Sequence, residues 1–492
     1  CLSRGLGDVY KRQLDMSVYK SSYQGISARY VSNAVTSKNK DTGKTETKAA
    51  GIVPLIQGVS GNGTKIIFDM NVKEYADDDF HAASVGGVFN LFAPVKGTCN
   101  VTNLTFTGKT GTDPKTGVQL HYYTSAGVET ARAVDTWGSR GYVGVGSFVG
   151  SSAGTLTSSW YSVNVNFGSV KFENMTIQSP AVAGGLIGNI ARIYTPTSDI
   201  GILLQPYGNE QTVYPYNTFT NCSFRDLTVK GQENAGGFCG CIDGKVANQN
   251  NLNVTTQNFI VGQDSTISAI QGNSSAGGLF GYARRGVAIN TVSGTTYTAI
   301  WENVNVEAGK YSGGIIGQVY TDNSNPRYEI QKVRVYGKTG IKSLIKVTSN
   351  GEGYTGGLIG EISFASGVTF NISKCEVQNT QINEVSKVSG EIFRTGGLVG
   401  RAAGDGNLKI QECSVEESDM YGSLAGGIAG ALHTPTTITE CTVSGLSDDK
   451  NIIKGQKSAA GIVGEIVCGG KIGIHKSTVS NTSITVSYTH LR

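Results

Sequence analysis

AGGLIG (Ala183–Gly188), AGGFCG (Ala235–Gly240), AGGLFG (Ala276–Gly281), SGGIIG (Ser312–Gly317), TGGLIG (Thr355–Gly360), TGGLVG (Thr395–Gly400) and AGGIAG (Ala425–Gly430) are copies of one hexapeptide, small-Gly-Gly-apolar-apolar-Gly. A weaker copy, AAGIVG, stands at Ala459–Gly464, and degenerate ones, VGGVFN and VGSFVG, at Val85–Asn90 and Val145–Gly150. Counted between last positions from Gly150 onward, the intervals are 38, 52, 41, 36, 43, 40, 30 and 34 residues. Self-similarity at a period of about 20–50 residues marks a repeat architecture in which each unit buries its apolar face only against the next.

A second element recurs between the hexapeptides: an apolar residue, a Cys, Val, Met or Ser three later, and an apolar residue two after that. It reads Phe172/Met175/Ile177, Phe219/Cys222/Phe224, Trp301/Val304/Val306, Ile330/Val333/Val335, Ile372/Cys375/Val377, Ile410/Cys413/Val415, Ile438/Cys441/Val443 and Ile474/Ser477/Val479. Its last two positions alternate as a strand requires, one face inward and the other carrying Thr, Ser, Glu, Arg or Asn to water. Each repeat therefore holds at least two strands and a Gly-hinged corner. The adjacent apolar pair of the hexapeptide means either a strand packed on both faces or a bend.

Composition agrees. Glycine, at 68 of 492 residues, is about twice ordinary usage, and charged residues are only 16%. No long segment places apolar residues at the helical period, and glycine at this density opposes helix. The expected fold is all-β, a β-solenoid formed as a parallel, right-handed β-helix. A β-propeller is the alternative, which the unequal spacing and only three Trp disfavour. Variable spacing implies loops of different length, the longest Arg192–Asn217, Gly244–Gln263 and Asp322–Tyr328, where specificity would reside.

The ends, CLSRGLGDVYKRQ (residues 1–13) and VSYTHLR (residues 486–492), share neither composition nor period with the rest and resemble translated sequencing-adapter read-through. They are set aside from fold reasoning, so a missing leader or anchor carries no weight. The remaining chain divides into a β-rich segment, 14–84, and the repeats, 85–485.

The Gly-Leu-apolar-Gly core of the hexapeptides resembles the GLUG motif of bacterial adhesin-like surface proteins and of accessory regions of IgA-cleaving metallopeptidases. That resemblance implies a secreted or cell-surface setting and no catalytic residues. The expected function is a non-catalytic structural and adhesive region presenting loops or a distal domain to glycans or host extracellular proteins. The alternatives are an accessory arm of a secreted IgA-type metallopeptidase and a carbohydrate-active β-helix.

The residues themselves offer little chemistry. A net charge of +4, with scattered Lys and Arg, lacks a nucleic-acid footprint, and the longest apolar stretch, Leu424–Leu432, falls far below the roughly 20 residues of a membrane helix. None of His81, His121, His433, His475 or His490 opens an HExxH zinc motif. Gly150–Gly154 (GSSAG) matches a nucleophile elbow without its helix, Gly58–Lys65 (GVSGNGTK) reads as a turn, and Asp77–Asp79 as an exposed acidic turn. The carboxylates, Arg and Lys show no grouping on one face such as a polysaccharide-cleaving β-helix needs. No catalytic, cofactor-binding or metal-ligating residue is expected. Cys222, Cys375, Cys413 and Cys441 share a slot with apolar residues and are expected as free, buried thiols. Cys239 and Cys241 suit neither a redox nor a zinc pair. The Asn-x-Ser/Thr sites at Asn103, Asn174, Asn221, Asn253 and Asn371 follow from an Asn- and Thr-rich composition.

Overall fold

The computed structural model describes residues 13–15, 26–28, 35–38 and 45–48, and most of 58–487; 76–83, 93–96, 110–116, 131–143, 154–162, 192–215, 244–253 and several shorter loops lie outside the described residues. Among the described residues, two parallel sheets, of 36 and 11 strands, are built coil on coil. Every ladder among the named strands is parallel except the hairpin Val35–Lys38 with Thr45–Lys48. The fold is a parallel β-helix. One strand per coil in the smaller sheet gives eleven layers, about 50 Å of stack at roughly 4.8 Å each.

One coil shows how the sequence makes a turn of the helix. Thr369–Ser373, Glu376–Gln378, Thr380–Ile382 and Phe393–Gly396 build the large sheet, and Val399–Gly404 the small one. The next coil lies in register on it, Ile372 against Ile410, Val377 against Val415, Ile382 against Met420 and Val399 against Ala429. Like stacks on like, so each apolar face is covered by its own repeat.

Two corners bend the large sheet, and both are left-handed residues inside otherwise extended chain. The first runs through Asn103, Ser169, Asn221, Lys332, Lys374, Glu412, Glu440 and Lys476, and the second through Asn174, Asp226, Asp264, Asn303, Asn379, Glu417 and Asn481, with φ between 44° and 56°. A non-Gly residue there costs energy, least for Asn and Asp. The recurring element is thus the corner itself: apolar two before the left-handed residue, a slot residue one after, apolar three after. Phe172/Met175/Ile177 and Trp301/Val304/Val306 belong to the second corner and the other six copies to the first, a division the spacing alone conceals. Asn103, Asn174 and Asn221 are corner residues, which explains why Asn-x-Ser/Thr recurs: a left-handed Asn, a buried slot, then an outward Thr or Ser.

The slot is where the corner is tied to its neighbours. Its hydroxyl or thiol donates to the carbonyl two residues back, as in Ser265 to Gln263 (2.6 Å), Ser418 to Glu416 (2.7 Å), Thr380 to Gln378 (2.9 Å) and Cys413 to Gln411 (3.2 Å). The same atom accepts the slot N–H of the coil before: Leu227 to Ser265 (3.0 Å), Thr380 to Ser418 (3.2 Å), Cys375 to Cys413 (3.4 Å) and Cys441 to Ser477 (3.2 Å). Cys therefore alternates with Ser because both donate and accept at a small buried site. All four slot cysteines are free and buried. Burial pushes the Cys222 thiol up to about 11 and the Cys413 thiol up; for Cys441, hydrogen bonding to Cys413 and then burial raise it. Thiolate, the reactive form, is scarce in such sites.

The hexapeptide is a bend. The chain reverses at Gly357 and Leu358 between strands Gly353–Gly356 and Ile359–Phe364, laying the small sheet directly on the large one. A Cβ on Gly356 would stand 2.0 Å from the Ile359 carbonyl oxygen, and one on Gly360 2.5 Å from that of Gly317. Both apolar residues between them, Leu358 and Ile359, are fully buried. Aromatic side chains cluster in the core toward the N-terminal side, where Phe148, Phe167, Phe219, Phe238 and Phe172 stack at 4.9–5.7 Å between ring centres; beyond Trp301 the core is mainly aliphatic, with Tyr328 stacked on Phe370 at 5.8 Å.

Parts of the sequence reading need correction. Gly58–Lys65 is not a turn but lies in strand Gly58–Phe68, paired with Gly97–Gly108 through a register irregularity between Ser60 and Thr64. Val254–Gln257 and the start of Ile260–Ala269, placed in a loop, are coil strands. Gln13 and Val486, set aside with the ends, are strand residues.

Candidate functional site

Two groups of charged side chains run along the axis, one on the large sheet and one mostly on the small sheet. Between the corners, Arg334 follows strand position by position onto Glu376, its Nε 3.0 Å from Glu376 Oε1 and its Nη2 donating to Gln378 Oε1 at 2.5 Å. The guanidinium lies 4.4 Å from the Tyr336 ring centre and 5.7 Å from that of Tyr297. The Tyr297 hydroxyl donates to the Glu376 carboxylate. Burial, then that hydrogen bond, pushes the Tyr297 phenol up to about 12. Beside it Gln263 donates to Glu302 (2.6 Å), and Asp264 takes Asn303 (2.9 Å) and Lys338 (2.5 Å). Burial alone would raise the Asp264 carboxyl; the hydrogen bonds of Asn303 and Lys338 outweigh it and hold it below the usual range.

The second group lies beside the Gly-Gly reversals. Arg394 bridges Glu352 (2.7 Å) and Glu465 (3.2 Å), and His433 Nε2 meets the same Glu465 at 3.0 Å. Arg401 donates to Glu361 (2.8 Å) and to the Tyr354 hydroxyl (3.3 Å), and Gln318 also reaches Glu361 (2.9 Å). Tyr311 stacks on Tyr354 at 5.5 Å, with Arg394 and Arg401 at 5.6 and 5.2 Å from the Tyr354 ring. Burial opposes ionisation of Glu352 and Glu465. Hydrogen bonds from Tyr354 and Arg394 to the first, and from His433 and Arg394 to the second, overcome it and keep both acids strong. Burial raises the Tyr354 phenol.

The sequence reading expected no grouped carboxylates. The structure groups Glu352, Glu361 and Glu465 with two arginines and a histidine, residues 32 to 71 apart in the chain wherever they pair across coils. Stacking is the reason: neighbours in space are one or two repeats apart in sequence.

No family model matches the chain, and no curated protein does. A solved structure similar to it is the crystal structure of a Bacteroides ovatus protein provisionally described as an immunoglobulin A1 protease. The two share 13% identity over 84% of this chain and 78% of that one, with a TM-score of 0.26. At that score the likeness carries no argument.

A third feature is a cleft of about 520 Å³ under the turn 124–130, lined by Leu120, Glu129, Gln178, Lys230, Ser268 and Ile270 among others. His121 stands behind it, Nδ1 2.6 Å from Glu129 and 3.4 Å from Gln178 Nε2. Glu233, one residue past the cleft-lining Gln232, is raised by burial.

The motifs weighed in the sequence are placed as follows. Ser152 sits mid-strand in Val149–Ala153, paired with Phe92 and Ile190, so its backbone is a ladder and not an elbow. His121 and His433 each pair with a carboxylate, and His475 is exposed. His81, His490, Asp77–Asp79 and Asn253 lie outside the described residues. Cys239 and Cys241 share strand Cys239–Asp243 and are buried, the Cys239 thiol donating to the Cys241 carbonyl (3.1 Å). Among the described residues, no three of His, Cys, Asp and Glu converge where an ion would sit. The ionic columns were missed because they are legible only after the repeats are aligned on the corner: Arg334 and Glu376 both stand two residues past it.

Proposed function

We propose that this chain is a non-catalytic rod, a GLUG-type repeat region of a secreted or surface protein that holds loops and outer columns for weak, multivalent contact with glycans or host extracellular proteins. The observation that carries the reading is the state of the clustered acids. A glycoside-cleaving site needs one carboxyl held protonated near neutral pH, opposite a second that is ionised. Asp264, Glu352 and Glu465 are instead all clamped by cations or amides and made stronger acids. Such pairs brace neighbouring coils.

The test sets binding against turnover. The purified chain is screened on arrays of glycans and matrix proteins, and in parallel assayed for release of reducing or unsaturated ends from acidic and neutral polysaccharides. Binding without turnover supports the rod. Turnover abolished by Glu129→Gln or Glu233→Gln overturns it in favour of an enzyme at the cleft, whose lining residue Gln232 the raised carboxyl follows in the chain.

A further inference from the structure

The cleft beneath the turn 124–130 is built on one outward column of the large sheet. Gln178, Lys230 and Ser268 occupy that column on three successive coils, in register and about 4.8 Å apart. The turn supplies one wall and is held by its own bonds. The Thr124 N–H donates to the Val128 carbonyl (2.9 Å), the Val128 N–H to Thr124 Oγ1 (3.2 Å) and the Thr130 N–H to the Tyr122 carbonyl (2.8 Å). A preformed cleft of about 520 Å³ with a few convergent polar groups is the usual form of a small-ligand site.

The polar groups in it are available. Arg334, Lys338, Lys342, Lys346, Arg394 and Arg401 each meet a carboxylate, whereas the Lys230 ammonium has no ion-pair partner among the described residues. The 2.6 Å bond between His121 Nδ1 and Glu129 uses the one in-plane site of that nitrogen, so Nδ1 cannot also accept from Gln178 Nε2 at 3.4 Å. Both amide protons of Gln178 are left for a ligand. The Ser268 hydroxyl donates to the Val229 carbonyl (3.3 Å) and keeps its acceptor capacity. Beside these groups the fold leaves hydrocarbon uncovered: Ile270, in the lining, is 58% exposed, and Val128, on the turn, 62%.

These features select the ligand class. The cleft faces one ammonium and one carboxylate, so an acidic sugar would set its own carboxylate against Glu129 as well as Lys230. A plain polyol would pair with Lys230 and Gln178 but leave Ile270 and Val128 against water. An extended peptide needs an unpaired strand edge, and the strands carrying Gln178, Lys230 and Ser268 are each paired on both sides. We propose that the cleft is a subsite for a neutral N-acetylated hexosamine unit. The acetamido methyl lies against Ile270 and Pro180, and the amide and hydroxyls of the sugar pair with Gln178, Lys230 and Ser268. Such a site gives the adhesive reading its ligand class and rests on that reading.

The probes are N,N′-diacetylchitobiose and N-acetylgalactosamine, titrated into the millimolar range against the full chain, with saturation transfer read on the acetyl methyl protons. Cellobiose and galactose, in which hydroxyl replaces the acetamide, are the comparison. At least one acetylated probe is expected to bind, at least about tenfold more tightly than its plain counterpart, and Ile270→Ser and Lys230→Ala are each expected to weaken it about tenfold. Both side chains are exposed, so folding is preserved, and Ile341→Ser, in the turn 338–341 and 57% exposed, should bind as the parent does. Binding of neither acetylated probe, equal binding of the plain sugars, or binding that both cleft variants leave intact overturns the proposal. So does a preference for uronic-acid oligosaccharides that Lys230→Ala abolishes. The adhesive reading stands through each of these while the arrays still capture a glycan or matrix protein, and falls with an empty array or with turnover.

Discussion

Alanine at Gly356 adds one methyl group where the small sheet lies on the large one. Its Cβ would stand 2.0 Å from the Ile359 carbonyl oxygen, 2.7 Å from that of Leu398 and 2.8 Å from the Gly400 nitrogen. All three are backbone atoms, two of them in the following coil, so no side chain can swing aside. Relief needs the reversal to open by about 1 Å to reach an ordinary contact. That movement stretches the bonds by which Gly357 and Leu358 donate to Gly396 (3.3 Å) and Leu398 (2.9 Å). Overpacking of a core costs about 1–3 kcal/mol when side chains can shift; with backbone on every side the expected loss is about 4 kcal/mol, in the range of severe lesions. Gly272 is the control, since a Cβ there meets nothing within 4 Å, and Gly272→Ala should change stability by no more than about 1 kcal/mol, in the stabilising direction. Urea unfolding followed by circular dichroism gives the difference, and exchange over 353–364 and 393–404 locates it, because a repeat stack opens locally. If Gly356→Ala lies within 1 kcal/mol of Gly272→Ala, the glycines are not holding the sheets together.

Other expectations follow from the corners, core and ion pairs. Ser418→Ala removes the acceptor of the Thr380 N–H and the donor to Glu416, and should cost about 1–3 kcal/mol in urea unfolding, while Ser418→Thr, the residue found at 380, should restore it. Iodoacetamide at pH 8 should label Cys468, which is partly exposed, and spare the slot cysteines; peptide mapping of the native protein decides, and labelling of Cys413 would contradict the burial. Trp301→Ala should lose about 3–5 kcal/mol, since the indole is wholly buried against Phe224 across Gly262; a urea midpoint unchanged from the parent would refute this. The carboxyls of Asp264, Glu352 and Glu465 are depressed in the folded chain, so the unfolded chain binds more protons in the acid window. The stability they confer is full above about pH 4–5 and is lost as pH falls through the folded values. Thermal unfolding from pH 7 to 2 should show the decline, with a shallower slope in Arg394→Gln.

The architecture was legible because its determinants are local and repeated. Six-residue copies with recurrent glycine spacing and an apolar triplet at fixed offsets suffice for a stacked β-coil, and Val85 and Val145 do lie in register as the degenerate copies predict. What the spacing could not separate was the two corners, because Asn174 and Asn221 carry the same neighbours while facing different edges of the coil. Nor could it place Arg394 between Glu352 and Glu465, whose proximity depends on loop lengths that change from coil to coil. Ion pairing across layers is a property of the stack, absent from any one repeat.

The slot exchange has a consequence for how such a chain can vary in length. Because each layer hands the next the same donor, acceptor and apolar triplet, removing residues 436–471 would bring Ile410, Cys413 and Val415 beneath Ile474, Ser477 and Val479 with every corner matched. Coils are therefore interchangeable currency for genetic recombination: whole units can be gained or lost, changing reach by about 4.8 Å at a time, while a shift of a single residue would turn the interior outward.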